Sequence, residues 1–198
     1  ALALALAQRK DAKGAAQALA AAGKLAPARQ AEADLLAGLI LGADTAVGRE
    51  RLKEAARNPA NVSVRLTALR ALVAAADPRT EAEAGKVFDP RAVANEVNDF
   101  LLRQNPGSLT YHCPRDPQVL DSIHLARAQL MLFAGSREKA RLAAEDLLKD
   151  VPASPLTREA TRTLAIAAWG DGSFRLAATH LSTLADASVE PERASLRI

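Results

Sequence analysis

Cysteine occurs once in the 198 residues, at Cys113. This excludes an internal disulfide and a zinc site built on paired cysteines, but leaves the compartment open, because many exported proteins also lack disulfides. Aromatic residues make up only 3% of the chain, with one tryptophan and one tyrosine, which removes the side chains that β-sandwiches rely on. No apolar run approaches the roughly 20 residues needed to span a bilayer, since charged residues interrupt every helix-like stretch. A soluble protein of the cytoplasm or periplasm, without a membrane span, is expected. The P-loop, G-x-S-x-G, H-E-x-x-H and dinucleotide-binding glycine patterns are all missing, so no catalytic residue, cofactor or enzymatic activity is expected. Paired acids such as Glu145-Asp146, or Glu81 with Glu83, fall on faces that a helix would solvate.

What the chain does have is alanine and leucine, within a composition that is 49% hydrophobic and 25% charged. That content can bury a continuous core and favours closely spaced helices, so nearly all helix is expected. The net charge of +3 comes from 26 basic and 23 acidic residues, interspersed along the chain, with no basic stripe of the kind nucleic acid selects. The sequence starts at Ala1 without a methionine, as a processed chain or a piece of something longer would. Its opening 1-ALALALA-7 reads either as the start of a first helix or as the tail of an apolar export segment.

Helix starts are marked by a capping residue followed by proline: Asp77-Pro78, Asp89-Pro90, Asp116-Pro117 and Ser154-Pro155. With apolar periodicity and breaks at Gly42, Gly135 and Gly172, these marks predict about eleven helices. They fall near 1–10, 13–23, 27–41, 44–57, 61–76, 78–87, 90–104, 117–134, 136–150, 155–169 and 173–186. The short connections place consecutive helices antiparallel as hairpins. One connection differs: 105-NPGSLTYHCPRDP-117 is rich in residues that oppose helix. It is expected to join an N-terminal helical block, 1–104, to a C-terminal block, 118–191, followed by a tail at 192–198.

The hairpin 125-LARAQLMLFAGSREKARLAAEDLLKDVP-152 recurs. Gly135 and Ala140 have counterparts in Gly172 and Ala177, 37 residues on, and in Gly42 and Gly48 upstream. A shorter copy of the second half lies at 10-KDAKGAAQALAAAGKLAP-27. These units resemble tetratricopeptide repeats, helix-turn-helix units in which small residues let two helices approach and a proline ends the second. The resemblance covers about half the chain. It is clearest at 121–154, through Ala128, Gly135, Ala140, Ala144, Leu147 and Pro152, with a second copy at 158–191; Met131 stands where the family has a tyrosine. It implies an all-α, right-handed α-solenoid of antiparallel hairpins whose first helices line a concave surface.

In that register Gln129, Phe133, Arg162, Ile166 and Trp169 face the concave side, while Ala165 and Ala168 pack inward. Trp169 has two readings: burial between helices, the usual fate of tryptophan, or an anchor for a partner segment. The Lys/Asn/Arg set with which some members of the family hold a C-terminal carboxylate is absent, the matching surface being Leu125, Gln129, Arg162 and Ile166. Tyr111-His112-Cys113 with His124 is a weak candidate for a metal or nucleophile site, since zinc sites carry paired short spacings. His180 reads as a surface or interface residue.

The expected function is a non-catalytic scaffold that binds a protein partner, a segment of a larger assembly or a copy of itself. Two other classes remain: a helical domain of a larger enzyme, and a nucleic-acid-binding helical repeat. The second would need arginines recurring in register, and Arg65, Arg70, Arg127, Arg162 and Arg175 do not.

Overall fold

Among the described residues three glycines take a positive φ: Gly42 at 85°, Gly135 at 78° and Gly172 at 76°. They are the three breaks expected from the sequence, and each ends a helix. A computed structural model describes residues 26–58, 61–78, 89–103 and 119–186, with scattered positions between 11 and 18. Among these residues there are eight helices and no strand. They are α1 (Pro27–Leu41), α2 (Ala46–Arg57), α3 (Val62–Ala75), α4 (Pro90–Arg103), α5 (Leu120–Phe133), α6 (Arg137–Asp150), α7 (Thr157–Gly170) and α8 (Phe174–Asp186). The protein is all-α. Of the eleven expected helices, 1–10 lies outside the described residues, 13–23 is described at four positions only, and 78–87 is described only at Pro78. The loop 105–117 is likewise outside them.

The helices fall into two compact units. The first holds α1, α2, α3 and the end of α4 from Asp99; the second holds the start of α4 through Asn98 together with α5 to α8. Pro90 opens α4 directly after Asp89, where the cap-proline mark falls.

In the first unit, α1 packs on α2, α2 on α3, and α1 also touches α3. The α1–α2 approach is set by two glycines. A Cβ on Gly38 would lie 2.6 Å from Leu52 Cγ, and one on Gly48 would overlap the Gly42 carbonyl oxygen. Helix α2 starts at Ala46 because Thr45 caps it, its Oγ1 accepting the Gly48 N–H at 3.0 Å. Asn61 does the same for α3, accepting the Val64 N–H at 3.2 Å. Arg65 is 1% exposed and donates from Nε to the Ala56 carbonyl at 3.3 Å. A cation thereby meets the negative end of the α2 dipole and satisfies a carbonyl that has no partner within the helix. Phe100 is buried, with the Lys53 ammonium 5.9 Å and the Arg57 guanidinium 4.9 Å from its ring centre. Leu52, Ala55, Ala56, Ala68 and Leu72 form the apolar interior.

In the second unit the same neighbour pattern holds: α5 on α6, α6 on α7, α7 on α8, with α5 also touching α7. The two tight turns are closed by the same hydrogen bonds. Gly135 N–H donates to Leu132 O at 2.9 Å and Ser136 N–H to Met131 O at 2.8 Å; Gly172 donates to Trp169 O at 3.0 Å and Ser173 to Ala168 O at 2.9 Å. This is the Schellman arrangement, which needs a residue in the left-handed region at the penultimate position, and glycine enters it without steric cost. After each turn a small residue, Ala140 or Ala177, donates to the serine carbonyl at 3.0 Å and is fully buried. The two turns that the sequence pairs at a spacing of 37 residues therefore share the same backbone hydrogen bonds.

Ala128, Ala143, Ala144, Leu147, Ala160 and Leu164 form one buried cluster from α5, α6 and α7, with Leu125, Leu148 and Leu156 packed against it. Each fully buried leucine contributes about 1.5–3 kcal/mol. The expected start of α7 at Pro155 is corrected to Thr157. Ser154 Oγ accepts the Leu156 N–H at 3.0 Å and donates to Asp121 Oδ2 at 2.6 Å, so Ser154-Pro155 builds a turn that ties down the first turn of α5.

Candidate functional site

A helix that buries an alanine stripe leaves the opposite stripe for solvent, and in α7 that exposed stripe carries two large apolar side chains beside its charged residues. Ala160, Leu164, Ala165, Ala167 and Ala168 are buried, whereas Arg162 is exposed, Ile166 is 54% exposed and Trp169 is 63% exposed. Arg162, Ile166 and Trp169 stand at i, i+4 and i+7, hence on one face. Trp169 is therefore a surface residue, and of the two readings of its place the core reading is excluded.

Across the Gly172 turn, Phe174 is 58% exposed and meets Trp169 edge to face, with ring centres 5.1 Å apart and an interplanar angle of 71°. Leu176, 43% exposed, follows on α8. Gln129 and Phe133 are half-buried on α5, the helix that touches α7. Arg137, at the start of α6, lies against Gly170, with Nη1 3.8 Å from Asp171 Oδ1. The repeat register does not select Phe174. The available signal was a second aromatic five residues after the only tryptophan, in a chain with few aromatics.

Against family models, curated proteins and solved structures, the chain has no significant match. An exposed Trp–Phe pair with an isoleucine and an arginine beside it offers apolar area, a cation and no reactive group. Among the described residues no three His, Cys, Asp or Glu side chains are grouped to hold a metal, and no helix is long and apolar enough to cross a membrane.

The second candidate cluster divides. Tyr111, His112 and Cys113 lie outside the described residues, while His124 is fully buried on α5, with Nε2 3.4 Å from Asp150 Oδ2 on α6. Burial holds the imidazole below the 6.5 of an exposed histidine, and Arg127 adds to that, against the opposing pull of Asp146 and Asp150. Burial lowers Arg127 from its ordinary value as well, with Asp146 opposing. His180 is half-buried on α8.

The direction for His124 fixes a pH dependence. Because the folded-state value lies below the unfolded one, the unfolded chain gains its proton first as pH falls. Stability then declines from about pH 6.5 downward, by at most about 1.4 kcal/mol per pH unit from this group. Urea midpoints measured at about pH 7 and about pH 5 should fall further for the native chain than for His124→Gln. Equal declines would mean that His124 does not resist protonation.

Proposed function

We propose that this protein is a non-catalytic protein-binding scaffold, a right-handed α-solenoid of tetratricopeptide-like hairpins that engages a partner through the exposed face of α7. The observation that carries this reading is the exposed Trp169–Phe174 pair beside Ile166 and Arg162. Aromatic residues and arginine supply most of the energy at protein interfaces, and a tryptophan left in solvent on a rigid helix is ready to be covered by one. The hairpin repeat supports the scaffold part of the reading, since stacked hairpins bury their inner stripes and present the others as a continuous surface. Gln129 and Phe133 on α5 extend that surface toward the preceding hairpin.

The test is Trp169→Ala. Loss of the anchor should weaken capture of the partner from native extracts by about 2 kcal/mol, roughly thirtyfold. The stability of the chain should change by no more than about 1 kcal/mol, as for other surface positions. Capture that is indifferent to Trp169 and to Phe174 would remove the face from the binding site.

A further inference from the structure

We infer that Arg137 is a positioning residue for Trp169: from the first turn of α6 it clasps the end of α7 and fixes the direction in which the indole is presented. The inference rests on the reading of Trp169 as a binding anchor, and its first test needs the chain alone.

Arg137 carries the wrong charge for its own helix. It is the first residue of α6, where the dipole is positive and a cation is disfavoured. Its side chain reaches instead to the end of α7, where the dipole is negative and a cation is favoured. There it lies against Gly170, the last residue of α7, with Nη1 3.8 Å from Oδ1 of Asp171, the residue that follows. Asp171 is itself an anion at the negative end of a helix, so one arginine offsets both. The two side chains are partly exposed, and their ion pair alone would hold a helix end only weakly.

Gly170 supplies the rest of the hold. It belongs to α7 and has no positive φ, so its backbone does not call for glycine, which is among the poorest helix formers. Nor does the repeat call for it, since the 37-residue register places Phe133 at the equivalent point of the preceding hairpin. What a side chain at 170 would displace is Arg137: an added Cβ would overlap its Nε and lie 2.9 Å from Cδ and 3.0 Å from Cζ. The bare glycine is a seat for the arginine. Trp169 immediately precedes that seat, and its carbonyl accepts the Gly172 N–H at 3.0 Å, so the clasped turn is the one that carries the anchor. Phe174 meets the ring edge to face, while Arg137 holds the backbone.

Time-resolved fluorescence anisotropy on the 198-residue chain reads the hold directly, because Trp169 is the only tryptophan and side-chain motion falls in the picosecond to nanosecond range. Arg137→Ala should enlarge the fast component of the decay. Gly170→Ala should enlarge it too by evicting Arg137, although alanine, as the better helix former, would by itself firm the end of α7. With both substitutions the fast component should be no larger than with Arg137→Ala alone, since no arginine is left to evict. Far-ultraviolet circular dichroism checks each variant, and Arg137→Gln replaces Arg137→Ala if that protein loses helix. An unchanged decay in Arg137→Ala, or a fast component that shrinks in Gly170→Ala, would overturn the inference. Capture from native extracts should weaken about two- to tenfold in Arg137→Ala, the gain expected from fixing one side chain in advance. A looser indole with undiminished, Trp169-dependent capture would likewise overturn it. Capture that needs Trp169, in a chain whose indole is indifferent to Arg137, keeps the scaffold and discards the clasp. An indole that loosens as expected, in a chain whose capture ignores Trp169, keeps the clasp and discards the anchor.

Discussion

Gly48→Ala should destabilise the first unit by about 3 kcal/mol, at the upper end of what overpacking costs. The added Cβ would overlap the Gly42 carbonyl oxygen and sit 2.8 Å from its carbonyl carbon and 3.0 Å from Thr45 Oγ1. None of these atoms has a free rotamer to retreat into. The Gly42 carbonyl is held by the Thr45 N–H at 3.1 Å, and Thr45 Oγ1 is committed to capping α2. The turn must open or the cap must break. Gly135→Ala is the matched control, because a Cβ there meets nothing within 4 Å and only the positive φ is strained, which costs about 1–2 kcal/mol. Denaturant midpoints followed by circular dichroism should separate the two. Equal losses would mean that the α1–α2 turn relaxes and is not the close approach described.

Ala140→Leu is the corresponding test of the second unit, with an expected cost of about 1–3 kcal/mol. Ala140 is fully buried in the first turn of α6, where that helix packs on α5, and its neighbours Ala143 and Ala144 are buried too. Leucine has nowhere to go without separating the helices, since packed interiors hold few voids of that size. Lys139→Leu, one residue away and exposed, should change stability by no more than about 0.5 kcal/mol. If both substitutions were equally mild, position 140 would not be the tight contact that the repeat register requires.

Much of this architecture is legible in the sequence because it depends on local chemistry. Gly135 and Gly172 break helices where a left-handed residue is needed, and α4 opens at Pro90 directly after Asp89. Ser154-Pro155 misleads by two residues, because the serine hydroxyl is engaged by Asp121, a residue 33 positions away that no local pattern reveals. The same limit applies to His124, whose burial against Asp150 depends on how α5 and α6 face one another. It applies to Arg65, a charged residue that reads as surface and is buried as a cap on another helix. For the candidate site, the register identified the α7 stripe but left the burial of Trp169 open. Phe174 was not legible, since its contact with Trp169 forms only after the chain reverses at Gly172.

The buried cluster that joins α5, α6 and α7 is four alanines and two leucines. Alanine gives up no side-chain rotamers on folding, so such an interior is assembled with less entropic opposition than one of long side chains. It also withdraws little hydrocarbon from water per residue, and the heat capacity change of unfolding scales with that area. The unit should therefore unfold with a heat capacity increment below the usual value of about 12–15 cal/mol/K per residue. Its stability then varies gently with temperature, and cooling weakens it less than it weakens a protein built around large hydrophobic side chains.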